Sequence, residues 1–125
     1  MILGHGIDLV PVSRVAGMIA DHRDRFLERC FTTGERAYCE GRKNSAEHFA
    51  ARFAAKEAIL KALGTGWSGG IAWTDAEVVV HASGKPTVVL RGKAAEIAGV
   101  MGVKRWFLSL THAEGFATAS AIAEG

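Results

Sequence analysis

Residues 52–66 read Arg-Phe-Ala-Ala-Lys-Glu-Ala-Ile-Leu-Lys-Ala-Leu-Gly-Thr-Gly, a strong helix former that stops at a glycine break. Positions three and four apart share a helix face, which sets Ala50, Ala54, Glu57 and Lys61 on one stripe. A carboxylate beside an ammonium, above two alanines that let a backbone or ligand come close, suits the joint holding of a metal and a phosphate. The competing reading is a solvated Glu-to-Lys pair worth about 0.2–0.5 kcal/mol. Asp8, inside Gly6-Ile7-Asp8-Leu9-Val10, is the second informative residue. A carboxylate in an apolar strand is costly to bury unless a metal, a lysine or backbone donors meet it. A strand-end Asp turned to water is the alternative. Together with water, Asp8 and Glu57 suit Mg²⁺, which takes one or two carboxylates and leaves its other positions to water and phosphate. No His or Cys cluster has zinc spacing.

Other residues offer phosphate contacts. Gly64-Thr65-Gly66, followed by Ser68 and Gly69-Gly70, has backbone N–H groups for phosphate oxygens. It lacks the Walker A pattern and follows a helix rather than preceding one, so a helix stop plus a turn explains it too. Arg42-Lys43 is a basic pair just ahead of the long helix, and His112 ends an apolar segment. Each reads as a phosphate ligand or as an ordinary turn residue; His112 also has the chemistry of a proton relay. Arg14, Met18, Arg23, Arg25 and Arg29 make a basic, partly apolar surface for an acidic protein, interrupted by Asp21 and Asp24.

The elements that must position these residues can be read in order. Ile2 to Val10 is a strand with Ile7 and Leu9 on one face and Gly6, Asp8 and Val10 on the other. Pro11 closes it, and Ser13 caps a helix carrying Val15, Met18 and Ile19. Thr33, Glu35 and Arg36 open a short helix through Tyr38, ended by Gly41. The long helix begins near Asn44, whose spacing to Glu47 fits a capping box. It runs to Leu63 with Phe49, Phe53, Leu60 and Leu63 facing the core, and Gly64 stops it. Ala76–His81 and Thr87–Leu90 are strands around the turn Ser83-Gly84-Lys85-Pro86. Lys93–Met101 is a helix, and Arg105–Thr111 and Phe116–Ala123 are strands about a turn at 112–115. This irregular order predicts an α+β class, one long helix against a small, mainly antiparallel sheet.

At 125 residues the chain suits one domain, 1–125. A formal charge of +2 is far from a nucleic-acid-binding balance. Cys30 and Cys39 fit no C-x-x-C pattern and read as two reduced thiols rather than a disulfide. With no secretory signal and no membrane-length apolar run, the chain reads as soluble and cytoplasmic.

Taken together, these residues resemble the holo-acyl carrier protein synthase family, the short type of 4′-phosphopantetheinyl transferase. The resemblance covers nearly the whole chain: Gly6 to Val10, Arg14, residues 25–29, Thr33 with Glu35, residues 52–66, Gly84-Lys85-Pro86, and Ser109 to His112. It implies an α+β homotrimer with active sites at subunit interfaces. The implied reaction moves phosphopantetheine from coenzyme A to a serine of apo-acyl carrier protein, for fatty acid or polyketide biosynthesis, and releases adenosine 3′,5′-bisphosphate. On this reading Asp8 and Glu57 hold Mg²⁺, and Lys61 contacts the phosphates and aids the leaving group or proton relay. Water on the metal and Glu57 both remain open as the serine's base. Arg42, Lys43, Arg52 and His112 take further phosphates, while Gly64, Thr65, Gly66 and Pro86 shape the coenzyme cleft. Arg14, Met18, Arg25 and Arg29 dock the acidic carrier.

Two departures stand out. Asp21 sits where members often carry a basic residue, and Ala113 follows His112 where several carry an acid, leaving Glu114 as a replacement. The longer two-lobed transferases need about twice this length, and no internal repeat is present. A non-catalytic coenzyme A or nucleotide binding module is the alternative from another class. It gives no reason to keep the negative charge of Asp8 and Glu57 beside a phosphate.

Overall fold

A strand with two glycines on its inner face can lie unusually close to a helix of small residues, and this contact organises the fold. In the computed structural model, which describes residues 1–125, strand β1 spans Ile2–Pro11 and helix α3 spans Ser45–Leu63. Gly4 and Gly6 of β1 abut the backbone of Ala62 and Ala58: a Cβ on Gly4 would overlap the Ala62 carbonyl, and one on Gly6 the Ala58 carbonyl. The close approach expected at Ala50 and Ala54 is thus realised further along, at Ala58 and Ala62. Ala50 and Ala54 are instead fully enclosed in the core.

Between β1 and α3 lie α1 (Val12–Cys30) and α2 (Thr33–Glu40). After α3 come one 3₁₀ turn (Trp73–Asp75), β2 (Ala76–Val80), β3 (Pro86–Leu90), α4 (Gly92–Met101), β4 (Arg105–Ala113) and β5 (Phe116–Glu124). The strands form an antiparallel sheet ordered β1-β5-β4 and a separate β2-β3 hairpin. The α+β class with a long helix on a small antiparallel sheet is therefore observed. Helix α3 crosses the inner face over β1 and β5, while its other side meets α1, α2 and β2. Surrounded in this way, α3 is apolar on most of its circumference, and Phe49, Ile59, Leu60 and Leu63 are buried. Phe53 is only partly covered.

Several ends differ from the sequence reading. Pro11, not Ser13, is the N-cap of α1, and no side chain caps that helix. Its fixed φ suits a helix start. The segment 23–29 is a second helical limb, set off by a kink at His22 (φ −135°, ψ 26°). Asn44 does cap α3, but through its carbonyl, which accepts from the Glu47 and His48 amides; no capping box with Glu47 forms. The capping box lies one helix earlier, where Thr32 and Glu35 exchange side-chain and backbone bonds. Strand β4 continues through His112 to Ala113, leaving a two-residue turn. Its residues Glu114 (φ 54°) and Gly115 (φ 81°) are both left-handed, which matches the twist of a tight hairpin.

Cys30 and Cys39 are unpaired and buried. Burial disfavours the thiolate, pushing Cys30 up to about 11 and Cys39 up to about 12. A thiol-disulfide reagent at pH 8 is accordingly expected to titrate no thiol in the folded chain and both after denaturation. Fast reaction of either cysteine without denaturant would contradict this burial. No helix is long and apolar enough to cross a membrane.

Candidate active site

Where β1 crosses α3, Asp8 and Glu57 come together with Lys61. Asp8 follows Gly6 on the inner face of β1, and Glu57 precedes Ala58 on α3, so the glycine–alanine contact brings both carboxylates to one place. The Lys61 Nζ donates to the Ile7 carbonyl at 3.0 Å and pairs with Asp8 Oδ1 at 3.3 Å. Glu57 accepts from the indole Nε1 of Trp67 at 3.4 Å. Burial raises the Glu57 pKa above the ordinary glutamate value; the Trp67 hydrogen bond opposes this, the Asp8 charge adds to it, and Lys61 opposes it. Two mutually repelling carboxylates, one of them desolvated, are a good environment for a divalent cation. No group of three or more candidate ligands is present. That donor set fits a hard ion such as Mg²⁺, which keeps several waters and binds substrate phosphate.

Gly64 ends α3 in the left-handed conformation (φ 78°), its amide donating to the Leu60 and Lys61 carbonyls. The following turn is tied by Ser68 Oγ donating to the Thr65 carbonyl at 2.7 Å and by Thr65 Oγ1 donating to the Gly66 carbonyl at 3.1 Å. It folds back so that Trp67 stacks on Trp73 (3.8 Å), and Trp73 on Phe53 (4.8 Å). Sequence reasoning overlooked Trp67; the available signal was a lone aromatic in a loop otherwise made of small residues.

A second cluster occupies the opposite flank of α3. The Arg42 guanidinium lies 3.4 Å and that of Arg52 4.2 Å from the Tyr38 ring centroid. Arg42 Nη1 donates to the Tyr38 carbonyl and Arg52 Nη1 to the His48 carbonyl. Arg52 is only 3% exposed, and its buried Nε has no partner. Two cations gathered at one aromatic ring, one with an unsatisfied N–H, have the chemistry that suits an anion. A cleft of about 190 Å³ opens among Tyr38, His48, Arg52, Pro86 and His112. A larger one of about 470 Å³ adjoins it, sharing Tyr38, Val80 and Gly84. Lys43 is exposed, and its side chain forms no hydrogen bond or ion pair. The acid that meets His112 is Glu47, at 2.6 Å from Nδ1; Glu114, the expected substitute, forms no ion pair.

The sheet register shows how the clusters are divided. Asp8 on β1 and His112 on β4 lie two strands apart, facing Ala119 and Ala117 of β5 respectively. Both belong to the inner face, and α3 runs between them. Arg52 and Glu57 are five residues apart, about 140° around the helix. The two clusters therefore lie on different flanks of the same helix.

Comparison with known proteins identifies the family. A model of the 4′-phosphopantetheinyl transferase superfamily matches residues 4–120. The chain belongs to that superfamily. Among curated relatives of this transferase family, the holo-[acyl-carrier-protein] synthase of Koribacter versatilis is 52% identical over 124 residues, covering 99% of both chains. Among solved structures, the synthase of Neisseria meningitidis superposes with a TM-score of 0.90 at 31% identity, covering all of both chains. The Helicobacter pylori synthase in complex with coenzyme A has a TM-score of 0.85 at 26% identity, over 96% of this chain and 99% of that one.

The basic docking candidates are split by the α1 kink. Arg14 and Met18 stand one turn apart on the first limb, Arg25 and Arg29 one turn apart on the second. The three arginines are exposed, and Met18 packs partly against the core.

Proposed function

We infer that this chain transfers the 4′-phosphopantetheine group of coenzyme A to a serine of an apo-acyl carrier protein, leaving adenosine 3′,5′-bisphosphate. The observation that carries this reading is the meeting of Asp8, Glu57 and Lys61 at the β1–α3 crossing. A nucleotide-binding module would gain nothing from two repelling carboxylates there. The serine oxygen forms a bond to the phosphorus next to the pantetheine arm, the bond from that phosphorus to the bridging oxygen breaks, and the bisphosphate leaves. Mg²⁺, held by Asp8 and Glu57, would supply charge neutralisation on the pyrophosphate. Lys61, half-exposed beside Asp8, places an ammonium against the same phosphates and the leaving group. The serine proton goes to water at the metal or to Glu57, the two acceptors that this placement offers.

Arg42, Lys43, Arg52 and His112 take the nucleotide phosphates, with Pro86 and Gly84 walling the cleft and Gly64-Thr65-Gly66 contributing backbone N–H groups. Because α3 separates the two clusters, we assign the complete active site to a homotrimer in which one copy's anion cleft faces its neighbour's carboxylates. Supporting this, the outer face of the β1-β5-β4 sheet leaves Ile7 59%, Leu9 62%, Phe107 41% and Phe116 45% exposed, an apolar surface of the kind that marks an interface. Arg14, Met18, Arg25 and Arg29 receive the acidic carrier. Residues 1–125 act as one transferase domain, in the cytoplasm, where the two thiols stay reduced.

Intact-mass spectrometry tests this. Apo-acyl carrier protein incubated with the chain, coenzyme A and Mg²⁺ is expected to gain about 340 Da, the phosphopantetheine increment on serine, and to gain nothing with chelator. No gain across several carriers, with the chain folded, would leave coenzyme binding as the surviving activity.

A further inference from the structure

His112 stands near the end of β4 with Nδ1 2.6 Å from Oε2 of Glu47, in the first turn of α3. The two side chains are 40% and 36% exposed, so the pair itself adds little to stability. Its effect falls on the other ring nitrogen. With the Nδ1–H given to the carboxylate, a neutral imidazole has only a lone pair at Nε2. Nε2 becomes a donor only when the ring takes a second proton. In the chain Nε2 makes no hydrogen bond, and the ring borders the 190 Å³ cleft beside the unsatisfied Arg52.

The other groups around this ring do not share that behaviour. Arg42 and Arg52 are permanently charged. His48, with its ring 5.8 Å from that of His112, has its pKa lowered by burial first and then by Arg52, His112 and Arg42, against Glu47. Tyr38 is occupied by the two guanidinium groups. The hairpin side brings Gly84 and Pro86, with Lys85 exposed between them, and β5 brings Ala117 across the register.

We propose that Glu47 is a positioning residue that makes His112 a donor only as the imidazolium, so that a phosphomonoester and a proton enter this cleft together. The inference rests on the coenzyme reading above, with the ribose 3′-phosphate as the occupant. It also assigns Glu47 a part in selecting donors that carry that phosphate.

The test is calorimetric titration of adenosine 3′,5′-bisphosphate into the full chain, in buffers of different ionisation enthalpy, between pH 7 and 9. Over this range the ligand's phosphates are already dianionic, their second pKa being about 6. The wild-type chain is expected to take up a large fraction of one proton on binding, with affinity falling up to about tenfold per pH unit. In Glu47→Gln the amide can donate to Nδ1, which leaves an N–H on Nε2 of the neutral ring. Proton uptake should then collapse and affinity become nearly independent of pH. Glu47→Asp should restore uptake, and His112→Asn should abolish it. Binding by the wild type without proton uptake overturns the proposal even if no variant folds, and so does undiminished uptake in Glu47→Gln. Absence of binding at every pH would remove the coenzyme reading and this inference with it.

Discussion

Replacing Asp8 with Asn or Glu57 with Gln is expected to lower carrier modification by about 10²–10³-fold or more, the scale of losing a group aimed at developing charge. Stability should move the other way for Glu57. A carboxyl whose folded pKa is raised stabilises the fold while protonated; this contribution is present below its unfolded value and is lost as pH rises through the folded value. The Glu57 pKa is raised, so at neutral pH its ionised form is a burden on the metal-free chain. Glu57→Gln should therefore melt no lower than the wild type at pH 7 while being inactive. A variant that lost activity only in proportion to lost folding would assign Glu57 a structural role. Full activity in either variant would remove the metal assignment. Addition of Mg²⁺ should raise the wild-type melting temperature and leave that of Glu57→Gln nearly unchanged.

Lys56→Ala is expected to cost about 3–5 kcal/mol, the usual consequence of removing one partner of a buried ion pair. Lys56 and Glu35 are both fully buried, with Nζ 2.8 Å from Oε1. All three protons of the ammonium are used, the other two on the Trp73 carbonyl (3.1 Å) and the Ala76 carbonyl (2.5 Å). Glu35 also accepts from the Thr32 amide and, through Oε2, from the Val78 amide at 2.8 Å. Burial lowers the Lys56 pKa, with Glu35 pulling against it. Removing the ammonium strands a carboxylate in the core and two carbonyls with it. Against a total stability of about 5–15 kcal/mol this is a large fraction. Urea denaturation of the chain and its Lys56→Ala variant measures the difference. A change under about 1 kcal/mol would mean that water reaches Glu35. Lys56→Met combined with Glu35→Leu should recover part of the loss, since no charge is then left unpaired.

Much of this was legible in the sequence, for physical reasons that can be named. The α3 helix and its stop at Gly64 follow from uninterrupted helix formers and a residue free to turn left-handed. Asp8 stood out because a carboxylate in an apolar strand needs an explanation, and the register of β1 does place it on the inner face with Gly6 and Val10. Local signals failed where long-range contacts decide. The Asn44–Glu47 spacing matches a capping box, but Glu47 is taken by His112, 65 positions later. The Thr32-Thr33-Gly34-Glu35 spacing was equally visible, yet its carboxylate serves three partners at once: a cap, Lys56 and the edge of β2. Lys56 reads as one more helix-surface lysine until α2 and β2 close over it. The separation of the two clusters by α3 was invisible, because it depends on the order in which β1, β5 and β4 are laid side by side.

The glycine–alanine contact between β1 and α3 acts as a ruler. Gly6 lies two residues before Asp8, and Ala58 one residue after Glu57. The gap between the carboxylates is thereby calibrated by the absence of a side chain on the strand, which lets it rest on the helix backbone itself. A side chain on Gly6 would overlap the Ala58 carbonyl, lift the strand and widen that gap with both carboxylates still present. Changes at Gly4 and Gly6 should therefore be read as changes to the spacing of Asp8 and Glu57.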